Sequence, residues 1–379
     1  MLAQFVIPKP LKTLYLILIF LHAAIHTLGF VKAFSLKDIK ALSQPISKPM
    51  GLLWLACTML FLAYLILRLI HSNYAMLIGG LAVVVSQFLV IYFWSDAKYA
   101  TLLNGLILMV LTINFSAFQF ERTIDQEISV ILEQSTDQVP SSINPEDLLK
   151  LPLCVQNWMV QSGATKQPRT RNGFLQQKAK MKLKPEQDNW YVADAKQISE
   201  IDQPAFVWTV DLAMNPLMGI KGRDKFVEGK GEMLIKMNAL FNVVDATGAK
   251  IDEGSLQRFL GELVWFPSLA LSEYVTWESI TENSAKATMK YEGTEGSGIF
   301  HFNNRGDFTK FVARRYRGNE PDAARKDWVL TVDEYATFEG IRVPSKMKAT
   351  WVLDSGDWTW LELEILAIDY NISPAFEWP

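Results

Sequence analysis

Two groups of residues in this chain have the types and spacing that binding or catalytic chemistry requires. His22 and His26 lie four positions apart in an apolar stretch, so they share one face of a helix. Histidines at this spacing can ligate a metal ion or haem, and they can equally form hydrogen bonds between helices inside a membrane. We favour the hydrogen-bonding role and keep metal ligation as the alternative.

The second group lies in the segment Ser255–Leu271. Apolar residues recur there at helical spacing: Leu256, Phe259, Leu260, Leu263 and Val264. Arg258, Glu262 and Trp265 follow at i, i+4, i+7 on a neighbouring face of the same helix. A basic and an acidic side chain beside an apolar face are typical of a ligand site, in which a few polar groups orient an otherwise apolar molecule.

This helix should begin at Ser255, whose side chain can cap it, and end near Phe266 because Pro267 cannot donate a helical hydrogen bond. Strand-like sequence surrounds the segment, so we expect the helix to cover the concave side of a sheet. Phe259, Leu263 and Trp265 would then face a cavity, with Arg258 and Glu262 at its rim. The alternative is a tightly packed helix that leaves no cavity.

The run Gly222-Arg223-Asp224-Lys225 is the densest polar group. It reads as a charged turn, with a second possibility that Arg223 faces an anionic headgroup. The candidate ligand-binding residues are therefore Arg223, Arg258, Phe259, Glu262, Leu263 and Trp265.

No Gly-x-Ser-x-Gly, His-Glu-x-x-His or Cys-x-x-Cys motif occurs, and His301 has no Cys or acid nearby at metal-ligand spacing. Cys57 and Cys154 are expected to be buried thiols. We therefore nominate no catalytic residue and no cofactor, and the sequence favours a protein that is not an enzyme without deciding the point.

The net charge of −3 is divided unevenly along the chain. Residues 1–116 carry +6, with only two acidic side chains, whereas residues 117–379 carry −9. An acidic second part argues against nucleic acid as a partner, because phosphate binding needs a basic surface. A basic and almost acid-free first part is typical of a membrane region.

Four uncharged stretches in that region are 19 to 22 residues long, close to the roughly 20 that cross a bilayer as a helix. They are Thr13–Val31, Pro49–Leu67, Tyr74–Trp94 and Tyr99–Phe120. The first stretch is too long for a cleavable signal and is not followed by a cleavage pattern. We predict four transmembrane helices, with flanking Lys and Arg residues that do not decide the orientation.

After the fourth span we expect an amphipathic helix that continues to about Gln138. A helix capped by Asn144 and another over Cys154–Gln161 then follow. Beyond Pro168 the helical period gives way to alternation, which predicts strands. The candidate strands are Gly173–Leu183, Trp190–Ile198, Ala205–Met214, Gly231–Phe241, Val275–Ile280, Ala285–Tyr291, Gly298–Phe302, Thr309–Tyr316, Trp328–Phe338, Ile341–Leu353 and Thr359–Tyr370.

The fold predicted from these patterns is four transmembrane α-helices followed by a mainly antiparallel β domain. About eleven strands would form a curled half-barrel, with one helix covering its concave face. The expected domains are a transmembrane region at 1–120, a helical connector at 121–167 and the half-barrel at 168–379.

Several segments carry a resemblance to a known family: Leu151-Pro-Leu-Cys-Val155, Phe206-Val-Trp208, Val264-Trp-Phe-Pro-Ser-Leu269, Arg315-Tyr316, Ile25-His26 and Ser95-Asp-Ala-Lys98. The chain resembles a family of uncharacterised bacterial membrane proteins with a C-terminal β-rich domain of unknown function. That resemblance implies the domain and brings no activity with it. More loosely, the β domain resembles the half-barrel of periplasmic lipoprotein carriers, which hold acyl chains in their concavity.

We therefore expect a multi-pass cell-membrane protein that holds a lipid or other apolar ligand in a β half-barrel. The expected partners are membrane lipids and an apolar or acyl ligand; a protein partner is unknown. One alternative is a membrane enzyme or redox protein that uses His22 and His26, and another is a protein-interaction scaffold. The carrier resemblance alone places the half-barrel on the extracytoplasmic side.

Overall fold

The computed structural model describes residues 9–134 and 141–378, with Lys9, Pro10 and Gln134 described by their backbone alone. The described residues up to Arg122 form one compact unit, and most of those from Thr123 onward form a second. The predicted three-part division, with its separate connector, stays a prediction.

The first unit is helical. Its elements are α1 (Lys9–Ala33), α2 (Lys48–Leu69), α3 (Ala75–Tyr92), the short α4 (Trp94–Ala97) and α5 (Ala100–Gln134). Within the described residues, α1, α2, α3 and α5 are long and apolar enough to cross a membrane. The predicted four spans are confirmed, and the chain has the composition of a multi-pass membrane protein.

Small residues let these helices approach closely. A Cβ atom on Gly29 of α1 would clash with the ring of Trp54 on α2, and one on Gly79 of α3 would stand 2.8 Å from Tyr64. Glycine at such contacts permits the van der Waals packing on which helix association in lipid depends.

The connecting residues form short helices, as expected. The side chain of Asn144 accepts a hydrogen bond from the backbone of Glu146 at 3.0 Å and caps α6 (Pro145–Leu148), and α7 (Leu153–Gln161) follows. The predicted extension of α5 is seen as far as Gln134. Its expected end at Gln138 and the break at Pro140 lie outside the described residues.

The rest of the second unit is one antiparallel sheet of thirteen strands within residues 141–378. The strands are β1 (Asn172–Met181), β2 (Tyr191–Glu200), β3 (Ala205–Asn215), β4 (Met218–Val227), β5 (Lys230–Met237), β6 (Phe241–Ala246), β7 (Val275–Thr281), β8 (Ser284–Tyr291), β9 (Thr294–Phe302), β10 (Phe308–Tyr316), β11 (Arg325–Phe338), β12 (Ile341–Leu353) and β13 (Gly356–Tyr370). The predicted curled half-barrel is confirmed, but with thirteen strands instead of eleven because β4 and β6 were not recognised.

The strand order explains the covering helix. Strands β1 to β6 run outward in sequence to one edge of the sheet, and β7 to β13 return from the other edge until β13 pairs with β1. The chain must therefore cross the whole sheet between β6 and β7. It does so through α8 (Ala249–Gly261) and the 3₁₀ turns Glu262–Val264 and Pro267–Leu271, and α8 packs on β4, β5, β8, β9 and β10.

The expected start of this helix at Ser255 is wrong. It begins at Ala249, after Gly248 with a backbone φ of 107°, and Ser255 is a buried residue inside it. A Cβ on Gly231 of β5 would stand 2.5 Å from Ser255 Oγ, so the missing side chain of Gly231 lets the helix lie close to the strand. The regular helix ends at Gly261, and Pro267 begins the last 3₁₀ turn.

Candidate functional site

A cavity of about 450 Å³ lies in the second unit, between the sheet and the crossing segment. Its walls come from β1 and β3 to β6 on one side, from β10 to β13 on the other, and from the crossing segment. Six of its described lining residues are tryptophans: Trp208, Trp265, Trp328, Trp351, Trp358 and Trp360. Most of the remaining lining is Val, Leu, Ile and Met.

Strand register aligns three of these rings. Trp328 on β11 is the cross-strand partner of Trp351 on β12, and Trp351 is in turn the partner of Trp358 on β13. Directly opposed residues point to the same face of a sheet, so the three indoles form a row across it. We call Trp328, Trp351 and Trp358 the tryptophan row.

A closed polar network fixes one wall of the cavity. Arg258 on α8 donates to Asp224 at 2.6 Å, to Glu262 at 2.8 Å and to Gln197 at 3.0 Å. Gln197 also donates to the other oxygen of Glu262 at 2.6 Å. The guanidinium lies 4.8 Å from the ring of Trp208. Burial alone would lower the pKa of Arg258, but the two carboxylates outweigh burial and raise it.

Arg223 lies in strand β4, so the charged turn predicted over Gly222-Arg223-Asp224-Lys225 is wrong. Its guanidinium pairs with Glu232 on β5 at 3.0 Å and with Glu127 near the end of α5 at 3.3 Å. Lys225 pairs with the same two carboxylates. Burial would raise the pKa of Glu232, but Lys225 and Arg223 outweigh burial and lower it.

The predicted site residues divide into two sets. Arg223, Arg258, Glu262 and Trp265 all line the cavity. Phe259 and Leu263 are buried and are not among its described lining residues. Phe259 stacks instead on Phe206 of β3 at 6.3 Å with an interplanar angle of 10°. These two side chains attach the crossing segment to the core, and direct ligand contact by the six residues stays a prediction.

Arg315 on β10 also lines the cavity and was not among the predicted site residues. Its guanidinium lies 4.2 Å from the ring of Trp328 and 5.9 Å from that of Trp351. Burial lowers its pKa to about 10. One signal was available, since Phe311, Ala313 and Arg315 alternate on the inner face of their strand.

The two membrane histidines have hydrogen-bond partners. His26 Nδ1 donates to the carbonyl of His22 at 2.9 Å, and Ser86 Oγ lies 3.0 Å from His26 Nε2. His22 Nε2 lies 2.9 Å from Asn104 Oδ1. The network links α1, α3 and α5, which is the geometry of interhelical hydrogen bonding. No group of three or more His, Cys, Asp or Glu in the described part of the chain could hold a metal ion.

Comparison with known proteins gives a family and a distant structural likeness. The chain is similar to the crystal structure of a LolA superfamily protein from Nitrosomonas europaea, at 8% sequence identity and a TM-score of 0.32, over 59% of this chain and 94% of that one. No curated protein matches the chain. A family model described as "Family of unknown function (DUF6544)" matches residues 141–363, more than half of the sequence, and the chain therefore belongs to that family.

Proposed function

We propose that this chain is a membrane-anchored binding protein that holds a lipid or other apolar ligand in the half-barrel cavity. The observation that carries the proposal is the cavity itself, about 450 Å³ of space lined chiefly by tryptophan and aliphatic side chains. Ligand sites typically enclose about 300–1,000 Å³ and combine an apolar lining with a few polar groups. The network around Arg258 and the side chain of Arg315 supply such groups here.

The lining chemistry favours an apolar occupant over water. Most of the lining surface belongs to tryptophan rings and aliphatic side chains, which offer water few hydrogen-bond partners outside the few polar groups. Each methylene that leaves water for such a wall contributes roughly 0.8 kcal/mol. An acyl chain with about eight buried methylenes would therefore gain roughly 6 kcal/mol before the entropic cost of association.

Filling the cavity tests the proposal. Ala349 is 2% exposed, lines the cavity and lies between its cross-strand partners Leu330 and Leu361. We expect Ala349→Phe to occupy ligand space and to abolish binding of a dansyl-labelled fatty acid by the full chain in nanodiscs. Val329→Phe is the matched control, because Val329 alternates with Trp328 and Leu330 and so faces away from the cavity.

The wild type and Val329→Phe should bind the probe. Lipid that co-purifies with these two proteins should be depleted in preparations of Ala349→Phe. If folded Ala349→Phe binds the probe as tightly as the wild type, the ligand does not bind in this cavity. Absence of both probe binding and co-purified lipid in the wild type would end it.

A metal or haem function at His22 and His26 has less support, because both imidazoles are engaged in hydrogen bonds within the helices. An absorbance spectrum of the purified chain would reveal haem directly. The side of the membrane stays a prediction, and we expect the half-barrel on the extracytoplasmic side.

A further inference from the structure

Four basic side chains line the cavity, and Arg315 differs from the others. Arg223 and Arg258 are held by carboxylates, and Lys348 pairs with Asp333 at 2.8 Å. Arg315 makes no side-chain hydrogen bond or ion pair with any residue in 9–134 or 141–378, and its Nε is buried without a partner. Arg315 is half-buried, and Asp224, Glu262 and Glu253 act on its guanidinium electrostatically without a hydrogen bond to it. Because a cation in an apolar cavity is costly unless it is hydrogen bonded, these open donors indicate a partner from outside the chain.

The position of Arg315 leaves its N–H groups free for such a partner. The guanidinium lies over Trp328, and stacking on a ring leaves the planar fork of donors directed past the ring edge. On the helix side, a Cβ added to Gly254 of α8 would stand 3.1 Å from Arg315 Nη2. Glycine inside a helix is less favourable than alanine, yet here it leaves room for the guanidinium.

The unpartnered polar atoms around the cavity are mostly donors. Among the described lining residues, the buried nitrogens without an acceptor are Arg315 Nε, Trp328 Nε1, Trp358 Nε1, Trp360 Nε1 and Gln177 Nε2. Asp224 Oδ1 is the corresponding unpartnered acceptor. An excess of donors is complementary to a ligand that carries acceptor oxygens.

We propose that Arg315 binds the oxyanion headgroup of a single-chain amphiphile, a carboxylate or a phosphate monoester, whose chain lies along the tryptophan row. This inference rests on the proposed function and specifies its ligand class. Arginine suits the task because its planar donors match both oxyanions in a bidentate manner. Arg258 does not take this role, because Asp224, Glu262 and Gln197 already accept from its guanidinium.

The test compares ligands that share one alkyl chain. Decanoate, decyl phosphate and decanol are titrated against the full chain in nanodiscs, with empty nanodiscs as the blank. The wild type should bind at least one of the two anions about 10- to 100-fold more tightly than decanol, the effect of hydrogen bonds to a charged group. The anion preferred by the wild type identifies the carboxylate or the phosphate as the headgroup.

Arg315→Met should remove this preference while decanol binding persists, and Arg315→Lys should keep part of it. Arg314→Met is the matched control, because Arg314 is the neighbouring arginine, is exposed and does not line the cavity. Gly254→Ala provides a second variant that keeps the charge, and its Cβ should weaken anion binding several-fold by displacing Nη2.

The outcomes separate the two proposals. If the wild type binds neither decanol nor the anions, the proposed function fails. If it binds all three equally, or if Arg315→Met and Gly254→Ala retain a wild-type preference for the anion, the cavity binds apolar chains and Arg315 is not the headgroup site.

Discussion

Removing Arg258 should destabilise the half-barrel more than any other single charge change in the cavity. Arg258→Ala leaves Asp224 and Glu262, which are 8% and 7% exposed, without the cation that both share. Taking one partner from a buried ion pair typically costs about 3–5 kcal/mol, because the remaining charge stays desolvated. We expect a loss in that range.

The chain contains its own reporter of this loss. Cys154 is buried in α7 within the second unit, and Cys57 is buried in α2 within the first. In a Cys57→Ala background, labelling of Cys154 by a thiol reagent under native conditions measures how often the second unit opens. A loss of about 3–5 kcal/mol should raise the labelling rate by roughly two to four orders of magnitude, since about 1.4 kcal/mol corresponds to a factor of ten.

A neutral replacement of the whole network is the matched control. Asp224→Asn, Arg258→Met and Glu262→Gln together leave none of the three side chains charged and should recover most of the lost stability. If Arg258→Ala opens no more often than the wild type, or if the triple variant is as unstable as the single one, the coupling assigned to this network is refuted.

Other predictions concern the membrane helices, acid pH and orientation. The double variant His22→Ala, His26→Ala should lower the stability of the helix bundle by less than about 2 kcal/mol for each hydrogen bond that is lost. The labelling rate of the Cys57 thiol in α2 measures this change, and metal analysis should show no loss of bound metal or haem. The pKa of Glu232 is lowered in the folded chain, so its ion pairs stabilise the fold above about pH 4. This stabilisation is lost as the pH falls through the folded pKa. The free energies of unfolding of Glu232→Gln and the wild type should therefore converge in acid. Asp322 is exposed in the loop between β10 and β11, and Asp322→Cys should be labelled in intact cells by an impermeant thiol reagent. Labelling only after lysis would place the half-barrel in the cytoplasm.

Long apolar segments and alternating strands were readable from the sequence. The four spans follow from uncharged stretches of the length that a bilayer requires, and most strands follow from the alternation that burial of one sheet face imposes. Strand β4 was missed because its charged run Arg223-Asp224-Lys225 resembles a surface turn. Those charges are tolerated in a strand through Glu127, Glu232 and Arg258, partners that no local pattern reveals.

The candidate site shows the same limit. The face carrying Arg258, Glu262 and Trp265 was found from helical spacing, and all three residues line the cavity. The same spacing could not tell which apolar residues of the segment face a ligand and which face the core, and Phe259 turned to the core. Alternation along β10 indicates the face on which Arg315 lies, but its place beside Trp328 depends on the pairing register of β10 with β11, which the sequence pattern did not give.

The junction of β1 with β13 has a consequence for biosynthesis. Gly173 pairs with Tyr370, so the middle of the sheet is closed by residues nearly two hundred positions apart. Contacts this distant in sequence form slowly, and during translation β1 leaves the ribosome long before its partner exists. Until β13 arrives, the inner edge of β1 is an unprotected strand that can pair with other chains. Truncation of the last strand should therefore favour aggregation over a smaller native sheet.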